Sequence, residues 1–534
     1  MDLNYNFIYW FLSATPIVLL LTFLMILKLP ALKAAPLTLL ITTISGIFIF
    51  KGNLLLIGVE LGKALWSSLS IISVVITAIF LYETSKEADA FSVLNKAFVK
   101  IAPNELIRII LIGIVFSSFL QGVTGFGVPI LVTAPLLIGI GVLPIYSVII
   151  PLIGHCWAGT FGTLALAWHA LLLQTEGLNH ESIVLTAFYA SVLLGILNLL
   201  SGMIISYIYG GLQGVKKGFL AVLLISMTQS IGQVIITQIN PDLGVFIPST
   251  LSALVLYTLS RTSLYNKEWR LENSKILLTD EIELEEANSK LKVKEAFLPY
   301  LVMTGLTLII LLIPPVNKLF GMISFGPSFP ETSSGFGVIN NEILIYSPIK
   351  PFTHASFLLL LSSLGGYWYY LKIGEIRKNM FGFVLRRTFR KALPSSVAVI
   401  SLISISRIMT GTGQTQILAV GVSSLFGNYY SLVSPFVGLL GSFITSSNMS
   451  SNILFGGFQY ASSTVLSIDS HLLLGAQTAG GSIGTSIAPS NIILGATTAG
   501  ILGKEGEILK KNLPFVLIIT LLFGLITFII SNLH

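Results

Sequence analysis

The sequence specifies an all-α polytopic membrane protein of 12–14 spans, with inverted repeats and broken or re-entrant helices. Three observations lead there. The 534 residues are 54% hydrophobic and 10% charged, with a mean hydropathy of +0.88, against roughly 25% charged in an ordinary soluble domain. The apolar residues fall in blocks of about 18–25, the length that crosses a hydrocarbon core of about 30 Å. Polar, glycine-rich breaks interrupt those blocks at the same spacing in both halves of the chain. A soluble enzyme is thereby excluded. The single cysteine, Cys156, rules out a disulfide framework and a multi-cysteine metal site, and no cofactor is expected. The net charge of +7 sits mainly in inter-helix loops, where it orients spans in a bilayer, so no nucleic-acid partner is expected.

The first block, 7–27, has no Lys or Arg before it and is too long for a cleaved signal core, so it reads as a permanent span. Lys28 and Lys33 follow it. The excess of cytoplasmic Lys and Arg then places this loop inside and the N-terminus outside, in the plasma membrane. Further blocks cover about 35–57, 61–82, 105–120, 147–173, 182–209, 218–239, 245–259, 296–316, 353–371, 392–409, 431–445, 471–503 and 513–530. The segments 260–295 and 372–391 hold seven basic residues each and read as cytoplasmic; 174–181, 240–244 and 317–351 are nearly free of them and read as outside. Within 260–295, Thr279 as cap, Asp280 and Glu281 in a first turn and Lys290 to Lys294 in a last turn predict a short solvated helix. The expected organisation is 1–104 N-terminal spans, 105–173 first repeat core, 174–259 scaffold spans, 260–295 cytoplasmic loop, 296–391 scaffold spans with a basic loop, 392–512 second repeat core and 513–534 final span.

The breaks are 122–129 and 154–163 in the first half, 445–452 and 477–485 in the second. Gly125 to Gly159 and Ser447 to Gly481 are both 34 residues apart. At that offset of 322, Ala158-Gly-Thr-Phe-Gly-Thr163 lies against Gly480-Gly-Ser-Ile-Gly-Thr485. The span before the first break starts inside and the one before the second starts outside, so the repeats are expected to be inverted, as in secondary transporters with a midplane site. Irregular backbone survives at that depth only where it is buried in protein or lines a polar cavity. Helix N-termini there suit a carboxylate, while unwound carbonyls and hydroxyls suit a small cation. The blander reading is that the small residues only let helices pack closely.

Candidate substrate-binding residues are Gln121, Gly122, Thr124, Gly125, Gly127, Thr160, Thr163, Arg407, Ser446, Ser447, Asn448, Ser450, Ser451, Asn452, Thr478 and Ser482; candidates for proton or ion coupling are His155, Asn448 and Thr485. Arg407 is the only charge between 392 and 427, and it either clamps a carboxylate or snorkels to the outer interface. His155 suits a proton relay or, equally, a backbone hydrogen bond. His169, Trp157 and Trp168 read as packing or interface residues, and Asp469 and His471 as a solvated turn. The spans offer neither the nucleophile and base of a hydrolase nor the charge rings of a channel.

The run Phe119-Leu-Gln-Gly-Val-Thr-Gly-Phe-Gly-Val-Pro129 resembles the Gly-x-x-Gly-Phe-Gly-x-Pro signature of the L-lactate permease family. So do Ser434-Pro-Phe-Val-Gly-Leu-Leu-Gly441, Ser450-Ser-Asn-Ile-Leu-Phe455, Gly480-Gly481, Ala488-Pro-Ser490 and Gly503-Lys-Glu505. The resemblance implies a proton-coupled importer of L-lactate, with D-lactate and glycolate as related substrates. Departures from the family pattern are Gln121 in place of a glutamate, Asn448 in place of an aspartate and Thr485 in place of a lysine. The alternative is a sodium-coupled carrier of another small carboxylate, its oxygens drawn from Ser446, Ser447, Asn448, Ser450 and Thr485. The partners expected are therefore a small carboxylate, a proton or sodium ion and the bilayer, with the oligomeric state open.

Overall fold

The computed structural model describes residues 7–27, 29–175, 178–271, 274, 276–277 and 291–533. The predicted helix after Thr279 lies outside the described residues. Among the described residues, nineteen helices of ten residues or more carry the architecture in chain order. They are α1 (Phe7–Leu21), α2 (Ala31–Phe48), α3 (Leu54–Glu87), α4 (Ala90–Ile101), α5 (Glu105–Val123), α6 (Val128–Gly139), α7 (Pro144–Gly154) and α8 (Gly162–Leu172). Then come α9 (His180–Ile239), α10 (Phe246–Ser260), α11 (Leu298–Thr307), α12 (Ala355–Lys372), α13 (Phe381–Gly411) and α14 (Gln414–Phe426). The last are α15 (Tyr430–Thr445), α16 (Asn448–Leu466), α17 (Ser470–Gly484), α18 (Pro489–Thr498) and α19 (Glu505–Ser531). Side-chain caps start several of them where the apolar run begins: Asn53, Asn104, Asn179 and Ser447 each accept a hydrogen bond from a backbone amide three residues on.

Among the described residues nine helices are long and apolar enough to cross a bilayer, or ten counting the bent pair Leu298–Leu311 and Pro314–Phe320. The sequence expectation of 12–14 counted the elements differently. Helix α9, 60 residues long, breaks at Gly210 and Gly211, and Gly211 takes φ +56°, a left-handed conformation that glycine adopts without strain. Its two limbs lie side by side, joined by Ser191–Thr237 and Asn198–Gln229 hydrogen bonds of 3.0 Å each, so this one helix supplies two apolar blocks. Helices α6, α7 and α8 are individually too short to span.

The helix boundaries repeat along almost the whole chain, further than the 105–173 and 392–512 segments where the sequence shows it. Adding 322 to the bounds of α3, α4, α5 and α8 lands within about ten residues of those of α13, α14, α15 and α18, and adding it to Tyr209, where the first limb of α9 ends, gives Ser531, the end of α19. Contacts follow the same symmetry: α2 packs on α13 as α12 packs on α3.

Helices α3 and α13 are equivalents in this repeat and run antiparallel. At one end Arg407 Nε meets Glu60 Oε2 at 2.9 Å, and Lys63 Nζ meets Glu60 Oε1 at 2.8 Å. At the other end Arg387 binds Glu83 and Glu87, and Lys391 binds Glu83. Two equivalent helices, both long enough to span, can point oppositely only if the halves are inverted. The basic cluster of 372–391 is not a loop throughout, because α13 begins at Phe381; Arg387 and Lys391 sit on its first turns, held by the α3 carboxylates. At the Glu60 end, segment 321–354 forms a lid on α3 and α13 through Asn53 Nδ2 to the Ser333 carbonyl (3.3 Å) and Asn340 Nδ2 to the Gly411 carbonyl (3.1 Å). Its one strand pair is Thr332–Ser333 with Ile339–Asn340.

Candidate functional site

The four breaks meet, though not all of them are breaks. Between α5 and α6 the chain turns through Gly125 (φ +57°), Phe126 and Gly127 (φ +78°). Between α7 and α8 it passes through a 3-10 turn, Cys156–Gly159, and the start of α8 is itself kinked by three left-handed residues, Thr163, Leu164 and Ala165. Between α15 and α16 the turn is Ser446 and Ser447 alone, with Ser446 left-handed.

Segment 477–485, expected to be unwound, is helical through Gly484, and the chain leaves the helix only after it. Here the small residues serve close packing. A side-chain carbon at Gly480 would lie 2.0 Å from the Pro435 carbonyl oxygen, and one at Gly438 would lie 2.0 Å from the Gln477 carbonyl oxygen, so α15 and α17 touch backbone to backbone.

At the crossing of the halves, the Thr160 hydroxyl donates to the Thr478 carbonyl at 3.2 Å, and the Ser482 hydroxyl donates to the Cys156 carbonyl at 2.6 Å. Thr160 and Ser482 are equivalent at the offset of 322, as are Cys156 and Thr478. The two bonds are one interaction made from each half, across antiparallel segments. Asn448 Nδ2 donates to Thr160 Oγ1 at 3.1 Å and reaches Thr478 Oγ1 at 3.4 Å. One turn along α16, Asn452 Nδ2 donates to Thr478 Oγ1 at 2.8 Å and to the Ala167 carbonyl at 2.9 Å. All four side chains are buried. Buried polar groups left unpaired cost about 1–3 kcal/mol each, so such a knot holds the two halves in one register.

The other expected residues divide by what they touch. Gly125 abuts the Thr163 hydroxyl, Gly162 abuts Gln121, and Gly122 packs on the Phe246 backbone, which joins the first break to the second. Gly127 faces Leu494. The Ser451 hydroxyl donates to the Gly438 carbonyl at 2.7 Å and accepts from Gln477 Nε2 at 3.2 Å. Ser447 caps α16 by accepting from the Ser450 amide, and Ser446 accepts from the Ser490 amide. Thr124 and Thr485 spend their hydroxyls on nearby carbonyls, those of Leu120 and Ser482. His155 Nδ1 lies 3.0 Å from the Ser117 hydroxyl.

Arg407 requires a correction. It neither faces the knot nor snorkels: it is buried and paired with Glu60 in the α3 and α13 contact, with its guanidinium over the Tyr346 ring. Burial demands a carboxylate partner, and Glu60, passed over because it begins an apolar block, supplies it. Glu60 and Lys63 were legible as charges three residues apart inside a span. Asp469 and His471 are half-buried, with His471 Nδ1 2.6 Å from Asp469 Oδ1 at the cap of α17. Also missed were Ser442 and Gln459. Gln459 ties the knot's outer side by donating to the Gln477 side chain and the Ser434 carbonyl, at 3.0 Å each. Polar side chains inside otherwise apolar helices were the available signal.

Replacing Thr160 by valine keeps the shape and removes the hydroxyl between the halves. Stability in detergent should fall by about 1–3 kcal/mol, read as a lowered thermal midpoint; an unchanged midpoint would mean that the Thr160 bonds hold nothing together.

The sequence model of the L-lactate permease family, described as L-lactate permease, matches residues 10–534. The chain is 26% identical to the L-lactate permease of Halalkalibacterium halodurans, over 97% of this chain and 95% of that one. It is 26% identical to the L-lactate permease of Escherichia coli K12, over 85% and 83% of the two chains. Against the glycolate permease GlcA of the same organism the identity is 24%, over 96% and 94%. Among solved structures, the YdaH transporter of Alcanivorax borkumensis aligns over 89% of this chain and 87% of that one, at 13% identity and a TM-score of 0.44, too distant to bear on the site. With a match across nearly all of its length and apolar helices able to cross a bilayer, the chain is a multi-pass transport protein that belongs to the L-lactate permease family.

Proposed function

We propose that this protein imports lactate or a similar small 2-hydroxy monocarboxylate, L-lactate, D-lactate or glycolate, by cation symport across the plasma membrane, with the proton as coupling ion and the N-terminus outside. The observation that carries the reading is the knot of Thr160, Thr478, Asn448 and Asn452, in which inverted halves share buried polar groups beside interrupted helices. The relatives' names, lactate and glycolate permease, supply the substrate class. The start of α16, behind the Ser447 cap, offers a positive pole for a carboxylate, with the Ser450 hydroxyl on its first turn, and Gln121 lies against the second break at Gly162. His155 is the histidine within the four breaks, and this reading assigns it the coupling proton. The core of this reading is 105–173 together with α15 to α18; α2, α3, α12 and α13 form its frame.

Proteoliposomes loaded with neither substrate nor gradient, then given labelled lactate under an inward proton gradient, should accumulate it above equilibrium. Uptake that no proton gradient stimulates would remove proton coupling; absence of lactate and glycolate uptake under any gradient would remove the substrate class. A second reading, sodium coupling, is favoured by a specific observation: buried carbonyl oxygens beside the knot that no donor satisfies.

A further inference from the structure

Three buried oxygens beside the knot lack a hydrogen-bond partner: Asn448 Oδ1, Asn452 Oδ1 and the Ser442 hydroxyl. Ser442 and Asn452 are 0% exposed and Asn448 is 4% exposed. The amide orientations are set by the knot. The Ala167 carbonyl can only accept, so it fixes Asn452 with Nδ2 toward it and Oδ1 away. The Thr160 hydroxyl gives its proton to the Thr478 carbonyl and so can only accept from Asn448, which turns Nδ2 toward it. Both amides therefore leave an acceptor over. Their nitrogens share one partner, Thr478 Oγ1, from successive turns of one helix, which puts the two side chains on the same face of α16.

Gly481 lies against two of them. A side-chain carbon there would lie 2.1 Å from Asn448 Oδ1 and 3.2 Å from Ser442 Oγ, so the missing methyl lets an unpartnered carbonyl and an unpartnered hydroxyl approach the same stretch of backbone. Ser442 lies one turn before the C-terminus of α15, where the last helix carbonyls carry partial negative charge. Unsatisfied acceptors repel a carboxylate and call for a donor or a cation. The three oxygens are hard and neutral. Divalent Ca2+ and Mg2+ sites are built around carboxylates, and none is present in this set, so the charge that fits is a single one.

We propose that Ser442 and Asn448, brought together at Gly481, with Asn452 one turn further along α16, bind a monovalent alkali cation, and that its entry is coupled to carboxylate uptake. The coupling part rests on the sodium-coupled reading above, in place of the proton; the binding part stands without it. Sodium and potassium share this chemistry, and the experiment separates them.

Purified protein in detergent, free of substrate, is titrated with NaCl or KCl against choline chloride at constant ionic strength, following radiolabelled sodium binding and the thermal midpoint. Saturable binding and a raised midpoint with one alkali ion and not with choline are expected. Ser442→Ala and Gly481→Ala should each weaken that affinity at least tenfold, the first by removing an oxygen and the second by driving a methyl against Asn448 Oδ1. If Gly481→Ala does not fold, Ser442→Ala alone decides. Equal midpoints in all three salts, or unchanged affinity in Ser442→Ala, overturn the site. Proteoliposome uptake of lactate with and without the ion then separates the two claims. Lactate uptake indifferent to the bound ion defeats coupling and leaves the transport reading intact. Ion binding without lactate uptake leaves the site and defeats the substrate class.

Discussion

Glu60→Ala should lower the stability of the folded protein by about 3–5 kcal/mol, the usual cost of removing one partner of a buried ion pair. Glu60 is 1% exposed, and it is the carboxylate that Lys63 and Arg407 share, at 2.8 and 2.9 Å. The pair adds little net stability relative to an apolar contact, because taking charges out of water offsets their attraction. What is costly is leaving Lys63 and Arg407 buried without that carboxylate. Two consequences distinguish this account. Glu60→Ala combined with Lys63→Met should recover part of the loss, since one cation is gone as well. Glu507→Ala, which breaks the exposed 3.9 Å pair with Lys511, should change stability by less than about 1 kcal/mol. Thermal midpoints in detergent read all three variants, and a Glu60→Ala midpoint no lower than that of Glu507→Ala would show that the α3 and α13 contact does not depend on its charges.

Gly125→Leu should abolish uptake while the protein still inserts and remains monodisperse. Gly125 has φ +57°, and a side-chain carbon there would lie 2.0 Å from Thr163 Oγ1. Thr163 cannot easily give way, because it is itself left-handed, at φ +52°, in a run of three such residues. Left-handed backbone outside glycine costs roughly 1–3 kcal/mol per residue, and the added side chain would strain a segment already strained. The inserted side chain pushes apart the first and second breaks of the core and leaves the ion-paired α3 and α13 frame untouched. Proteoliposome uptake and size-exclusion profiles provide the test; full uptake by this variant would mean that the turn serves packing alone.

Much of this was readable in the sequence because the bilayer enforces it. A chain with 10% charged residues has to place its apolar blocks in lipid, and backbone in lipid has to be helical; the all-helical class follows from composition and block length. The spacing of 34 residues between Gly125 and Gly159 and between Ser447 and Gly481 carried the repeat, because runs of glycine and hydroxyl residues interrupt the apolar blocks at the same interval in both halves. Positions 160, 448, 452 and 478 were chosen on that ground, and they are the residues that bond to one another.

Other features depend on partners distant in the sequence. Segment 477–485 looks unwound because Gly480, Gly481 and Gly484 are poor helix formers, yet α15 lies against them closely enough that only glycine fits; tertiary packing overrode local propensity. From the sequence Arg407 is equally a carboxylate clamp or an interface residue, and its buried partner Glu60 stands 347 residues earlier in the chain. The inversion of the halves, the reciprocal bonds of Thr160 and Ser482, and the unsatisfied oxygens of Asn448 and Asn452 likewise exist only once the helices are packed. Hydropathy and spacing are local sums along the chain and so survive in one dimension, whereas a hydrogen bond or an ion pair is a distance between two side chains, which folding alone fixes.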